Sequence, residues 1–327
     1  ESGALAEQLA RQTNLSICAV FDDAAKAIAT RASYARANLN GTRITVFHQP
    51  PGTRLPFPSY YADLIVSEAA AKGTLPTKKT IEDLSRILKP IRGIALIGGG
   101  KTTAHALGRW NTATQQQGWT IVKSGDAVWS RRVRPQLAQS GSWTHQLGDS
   151  GNTGSSDDGA LKGPLGVLWY GPPVLRYGNN SMPARLAHGL MLLPVHNGII
   201  ACDQYSGRKL WYYPCPENSQ FFIADKTVYL RRETLKDDRP TGKALWERIT
   251  LETGKKIDGV VLPRMMAQGT ISQMAASRDG KIVYGHVQWQ KITKQGDQEI
   301  RKDFRCLFAE DSASGKRLWT IGGAGQQ

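Results

Sequence analysis

Five consecutive residues, Gly98-Gly99-Gly100-Lys101-Thr102, are the best candidates in the chain for holding a charged ligand. Counted from Ala95 they fit a relaxed phosphate-binding pattern, A-x-x-x-x-G-K-[ST]. Glycines leave backbone amides free to cradle phosphate, Lys101 supplies charge, and a following helix adds the positive end of its dipole. Against this, Leu96 and Ile97 extend a strand and leave a loop of only three glycines, where a phosphate loop needs about eight residues. The Asp63–Ser67 segment, the candidate for holding magnesium, also precedes the loop in the chain. The competing reading is a glycine turn at the top of a parallel strand. Other chemistry is thinly represented. Cys18, Cys202, Cys215 and Cys306 show no C-x-x-C spacing and the histidines no H-x-x-x-H pair, so no metal site is expected. Cys202 and Cys215 could bridge in an oxidising compartment or stay as buried thiols. No Ser/His/Asp or Cys/His order is tied to a recognisable turn, so no catalytic residue is assigned.

The elements that must position these groups alternate. A short helix over residues 4–12 precedes an apolar run, Leu15–Phe21, that ends in the carboxylates Asp22 and Asp23. A helix over 24–38 stops near Asn40-Gly41, Ile44–Phe47 forms the next strand, and Asp63–Ser67 reads as another buried strand. A helix over 77–88 turns at Lys89-Pro90 into a strand over 93–97. A helix over 103–116 and a hairpin pairing Trp119–Lys123 with Asp126–Arg132 close the region. Alternation at this spacing predicts a parallel sheet with helices on both faces.

The succession Ala19-Val20-Phe21-Asp22-Asp23-Ala24-Ala25-Lys26, Leu55-Pro56-Phe57-Pro58, Ala62-Asp63-Leu64-Ile65-Val66-Ser67-Glu68 and Ile87-Leu88-Lys89-Pro90 resembles the second to fifth strands of class I S-adenosylmethionine-dependent methyltransferases. The resemblance covers about residues 1–134 and implies a Rossmann-like, doubly wound α/β fold with its first strand missing or truncated. It also implies a cofactor cleft at Gly3, Asp22, Asp23 and Ser67, with S-adenosylmethionine as the ligand. The chain departs from the family where it matters most. Only Ser2-Gly3 remain of the glycine turn, Phe21 stands where a carboxylate would hold the ribose, and Pro50-Pro51 stand where an acidic residue would face the adenine.

From Pro135 the composition changes to Gly, Ser, Asp and Asn. Residues 135–162 read as a linker that buries no core, with Trp143, Trp169 and Tyr170 docking onto the second domain. Beyond it a repeat appears. Residues 201–211 and 309–319 both read A-x-D-x-x-S-G-[RK]-[KR]-L-W, and residues 250–258 are a worn copy with Thr250 in the Asp position and Asp258 in the Trp position. The repeat predicts a hairpin turn capped by Asp203 or Asp311, with Gly207, Gly254 and Gly315 at positive φ and Trp211 and Trp319 packing between sheets. It resembles the pyrroloquinoline-quinone repeat of β-propellers. That resemblance implies an all-β, incomplete propeller of about three blades over residues 163–327, and no quinone is expected from it.

The 327 residues suit two domains, and no apolar run is long enough to span a bilayer. The net charge of +15 divides as 18 basic and 9 acidic residues over 1–134 and 24 and 18 over the rest, so neither part is a basic arm and nucleic acid is not expected. Arg131, Arg132 and Arg134 read as solvated surface. A helix under way at Glu1 and only three repeats lead us to expect a piece of a longer bacterial protein. The expected function is non-catalytic binding or scaffolding, with protein partners met through the propeller. A methyltransferase active in the full-length protein and a quinone-dependent dehydrogenase are the alternatives, and the cell envelope is the favoured location.

Overall fold

The computed structural model describes residues 3–67, 73–100, 102–114, 118–171, 184–216, 219–236, 239–257, 270–277, 279–295, 298–314 and 316–322. The chain divides into two compact units, residues 1–134 and 135–327. Among the described residues helices are few and strands many, and the strands form several sheets, none closed.

In the first unit, α1 (Ala4–Gln12) starts from Gly3, which has φ +75°, and the Tyr34 hydroxyl donates to the Gly3 carbonyl at 2.5 Å. β1 (Ile17–Phe21) leads through Asp23 into α2 (Ala24–Arg36), and β2 (Ile44–His48) returns parallel to β1, pairing Ile17 with Ile44 through Phe21 with His48. β3 (Leu64–Ser67), α3 (Lys78–Ile87), β4 (Ile94–Gly99), α4 (Ala104–Ala113), β5 (Trp119–Ser124) and β6 (Ala127–Val133) come next. Their strands form a second sheet in the order β3-β4-β6-β5, with β3 parallel to β4 and the rest antiparallel. Thr77 and Thr103 cap α3 and α4 by accepting from Thr80 N and Ala106 N. α4 is shorter than the 103–116 expected from sequence, and residues 115–117 lie outside the described residues.

Two small cores result. Ala10, Phe21, Ala27, Tyr34, Ile44 and Val46 pack α1 and α2 on the first sheet, while Ile81, Ile97, Leu107 and Trp110 pack α3 and α4 on the second. Among the described residues no strand pairs with the outer edge of β1 or of β3. β3 accordingly differs from the buried strand expected at 63–67: Leu64 is 38% exposed, because a parallel strand paired on one side only has lost half of its cover.

The second unit holds three successive antiparallel sheets. β7 (Arg185–Ala187), β8 (Leu190–Val195), β9 (Gly198–Asp203) and β10 (Lys209–Pro214) form the first. β11 (Phe221–Ala224), β12 (Thr227–Lys236) and β13 (Arg239–Thr250) form the second, and β14 (Thr270–Ala276), β15 (Ile282–Gln295), β16 (Gln298–Asp311) and β17 (Arg317–Gly322) the third. Strand periodicity glues them together. Phe221 and Ile223 of β11 face Leu192, Ile199 and Ala201 of the first sheet, whereas Phe222 and Ala224 face Val283, Cys306 and Phe308 of the third. The middle sheet is therefore apolar on both faces.

The stretch expected to be a core-free linker differs from that expectation. Trp143 bridges to Leu186, Thr144 accepts from Ile223 N at 2.9 Å, and His145, 6% exposed, stacks on Phe222 at 4.9 Å. Its backbone completes the hydrogen bonding of β7 and β11, which composition alone could not show. Tyr170, expected to dock, is 93% exposed, while Trp169 lies against Gly207. Cys202 and Cys215 are buried and are not joined in a disulfide.

Trp211 of β10, whose Nε1 donates to the Leu251 carbonyl, sits in the core shared by the first two sheets and makes a stability prediction. Trp211→Ala should cost about 3–5 kcal/mol in chemical denaturation. Trp211→Phe, which keeps most of the apolar area but loses the indole donor, should cost about 1 kcal/mol beyond the lost packing. A change to alanine that leaves the midpoint where it was would contradict the role assigned to this residue.

Candidate functional site

In the first unit two of the residues expected to hold a cofactor, Gly3 and Asp23, are engaged in the fold. Gly3 sits at the start of α1 with its carbonyl held by Tyr34, and a Cβ there would meet Thr30 Cγ2 at 2.8 Å as well as the Tyr34 hydroxyl. Asp23 caps α2: its carboxylate accepts from Lys26 N at 3.0 Å and pairs with Lys26 Nζ at 3.4 Å, and the backbone hydrogen bond from Lys26 holds its pKa below the ordinary carboxylate value. Phe21 closes β1 as a buried core residue, 4% exposed, so it offers no polar atom where the family places a carboxylate. Asp22 comes next on the surface, exposed. Ser67 ends β3 beside Ile97.

The glycine-rich segment is more strand than loop. Gly98 and Gly99 continue β4 and pair with Trp129 and Val128 of β6, so both belong to the antiparallel ladder. A Cβ on Gly98 would meet Trp129 Cα at 2.9 Å, which makes this glycine a close backbone approach between strands. Only Gly100 and Thr102 remain for a loop, Lys101 lies outside the described residues, and the Thr102 hydroxyl is buried without a hydrogen-bond partner. The α4 face beyond carries a surface depression of about 480 Å3 lined by His105, Gly108, Arg109 and Thr112, none of them among the expected site residues.

Elsewhere in the first unit Cys18 and Tyr61 form a polar contact, Sγ to Oη 3.5 Å, with Tyr61 stacked on Phe57 at 5.3 Å. The bond to Cys18, and then burial, push the Tyr61 phenol up to about 12, so it stays protonated and provides no base at neutral pH. Among the described residues no group of three or more His, Cys, Asp or Glu side chains could hold a metal ion.

The second unit has a more ordered constellation, built on its turns. Asp203 Oδ1 accepts from Tyr205 N at 3.1 Å and Ser206 Oγ at 2.8 Å, and Asp311 Oδ1 accepts from Ser314 N at 2.8 Å and Ser314 Oγ at 2.5 Å. In the worn copy Thr250 takes the part of the aspartate, its Oγ1 accepting from Lys255 N at 3.2 Å. Gly207 and Gly254 have φ +68° and +66°, while Gly315 lies outside the described residues. Trp211, 9% exposed, lies against the next turn: a Cβ on Gly254 would fall 2.6 Å from Trp211 Cδ2, and Trp211 Nε1 donates to the Leu251 carbonyl at 3.0 Å. Trp319 is 42% exposed.

No family model matches this chain, and no curated protein matches it. Among solved structures it is similar to a putative S-adenosyl-L-methionine-dependent methyltransferase from Methanococcus maripaludis, at 22% identity over 42% of this chain and 74% of that one, with a TM-score of 0.33. It is also similar to a europium-containing methanol dehydrogenase, at 13% identity over 48% of this chain, with a TM-score of 0.33. The chain spans 36% of that dehydrogenase. BamB from Moraxella catarrhalis matches at 12% identity over 41% of this chain and 58% of its own, with a TM-score of 0.13. Likeness this loose assigns no activity.

Sequence reasoning missed two features of the second unit. The first is that Trp169 belongs to the repeat system: its Nε1 donates to the Gln204 carbonyl at 2.9 Å, as Trp211 does one turn later. The signal was the Leu168-Trp169-Tyr170 triplet, which repeats Leu210-Trp211-Tyr212. The second is a buried arginine whose charge acts on a buried, neutral histidine. Arg185, 1% exposed, lies over the Phe221 ring at 5.2 Å, and burial lowers its pKa to about 10. Burial, helped by the Arg185 charge, lowers the His145 imidazole to about 4, so the ring is neutral at physiological pH.

His145 gives a pH prediction. The unfolded chain takes up a proton on this residue near 6.5, whereas the folded protein resists until about 4. Its contribution is therefore whole above about pH 6.5 and is lost as the pH falls through the window down to about 4. Followed from pH 7 to 4, the denaturation midpoint of wild type should fall relative to that of His145→Phe, because phenylalanine keeps the stack on Phe222 and cannot charge. Parallel curves would rule the effect out.

Proposed function

We propose that this chain joins a degenerate methyltransferase-like domain to an incomplete propeller-type array and acts as a non-catalytic binding or scaffolding protein. In this reading the first unit is a Rossmann-like sheet lacking the strand that would join β1 to β3, which agrees with its two separate parallel pairs and their open edges. A groove for S-adenosylmethionine would need a carboxylate at the end of β1 and free glycine backbone beside it. Here Phe21 is core, Asp23 is a helix cap, and the Gly3 carbonyl is held by Tyr34.

The observation that carries the binding reading is the outer face of the third sheet. Tyr284, Leu307, Trp319 and Ile321 share that face through the pairings Tyr284–Ala309–Trp319 and Leu307–Ile321, and they are 37%, 48%, 42% and 61% exposed. The opposite face of the same sheet is core. A contiguous apolar sheet face of this kind is a mark of a surface that meets another protein.

One observation favours the methyltransferase alternative. Asp22 is exposed at the end of β1, one residue after the family's ribose position, where a bulge could present it to a ligand. Calorimetric titration of S-adenosylmethionine, and of its demethylated product, decides between the two. The scaffold reading expects no saturable heat from folded protein. Micromolar binding that disappears in Asp22→Ala would overturn it in favour of methyl transfer.

A further inference from the structure

Each repeat turn presents one backbone carbonyl three residues before its glycine, and each of these carbonyls holds a donor from earlier in the chain. Gln204 O accepts from Trp169 Nε1 at 2.9 Å, Leu251 O from Trp211 Nε1 at 3.0 Å, and Ser312 O from Arg248 Nη1 at 2.9 Å. Asp258 has replaced the tryptophan that would have served the third turn, and Arg248 supplies the hydrogen bond instead. At the first two turns the indole also lies on the glycine, where any Cβ would enter the ring. A complete junction therefore consists of an indole, a glycine beneath it and the carbonyl that receives its N–H.

Trp319 has the indole and lacks the rest. Its ring meets Tyr284 at 6.2 Å in a tilted contact, and among the described residues no turn glycine lies against it as Gly207 and Gly254 lie against Trp169 and Trp211. At 42% exposed against 9% for Trp211, it projects from a sheet face that is apolar around it.

The sequence holds three turns that could receive it. Two are closed by well-packed elements: Trp211 is buried on β10, and Arg248 lies within β13. The Gly207 turn differs, because Trp169 reaches it from irregular chain whose neighbours Val167, Leu168 and Tyr170 are 81%, 50% and 93% exposed. Little apolar burial secures Trp169 there, so a better-packed indole can replace it.

Resting on the binding reading above, we infer that the partner of the third sheet is a second copy of this chain, whose Gly207 turn docks on Trp319. The Trp319 indole then lies on the partner copy's glycine and donates to its Gln204 carbonyl, displacing Trp169. The contact is heterologous, joining the third sheet of one copy to the Gly207 turn of another by the same kind of joint that links sheets within one chain. With +15 on each copy, an apolar junction of this kind should strengthen as salt screens the repulsion.

Sedimentation equilibrium of the full chain over a concentration series tests this, with wild type, Trp319→Ala, Ile321→Lys and Trp169→Ala compared. Loss of a buried aromatic anchor should weaken association about 30-fold in Trp319→Ala. Ile321→Lys, on the same exposed face and away from the core, should weaken it as well. Trp169→Ala, which uncovers the acceptor turn, should associate more tightly than wild type. If the variants sediment alike, or in any other order, the inference is wrong. S-adenosylmethionine titrated into the same preparations keeps the two claims apart: binding there would sink the scaffold reading without touching the association result.

Discussion

The second unit depends on a repeated local joint, in which an indole or guanidinium from one part of the chain donates to the carbonyl three residues before a turn glycine. A turn leaves that carbonyl without a strand partner, and a buried carbonyl without a donor is costly. The long donor side chain satisfies it and at the same time carries apolar surface across the gap between sheets. Glycine is required beneath the ring for two reasons, since the backbone is at positive φ and any side chain would occupy the space the indole needs. One interaction thus fixes the spacing of successive sheets, and the alternating faces of β11 fill the space between them.

Loss of one part has been met by substitution of another. Where the third junction has no tryptophan in the sequence, Arg248 keeps the hydrogen bond, and the Tyr229 ring nearby is buried. The worn second turn keeps its cap with Thr250 in place of aspartate. The chemistry that the fold conserves is the satisfied carbonyl and the capped turn, more than the residue type that does it.

Much of this was legible in the sequence because it rests on local pattern. The repeat at 201–211 and 309–319 states the turn, its cap and its glycine in one phrase. What could not be read was long-range. Nothing in the composition of residues 135–162 shows that Thr144 and His145 complete the hydrogen bonding and the core of the adjoining sheet, since that depends on strands far along the chain. The glycine-rich segment was misleading for a related reason: Gly98 and Gly99 look like a loop until β6 arrives to pair with them. In the first unit the order of strands and helices was legible, whereas the separation into two sheets with open edges depended on which strands meet.

The claim on which the rest stands is that the indole of Trp211 and the sheets it joins open as one. Hydrogen exchange of the Trp211 indole N–H, measured by nuclear magnetic resonance beside the backbone amides of β9 and β12, tests it directly. The account predicts that the indole proton exchanges only in the cooperative opening that also exposes those amides. An indole proton that exchanges freely while the amides of β9 and β12 stay protected would contradict it.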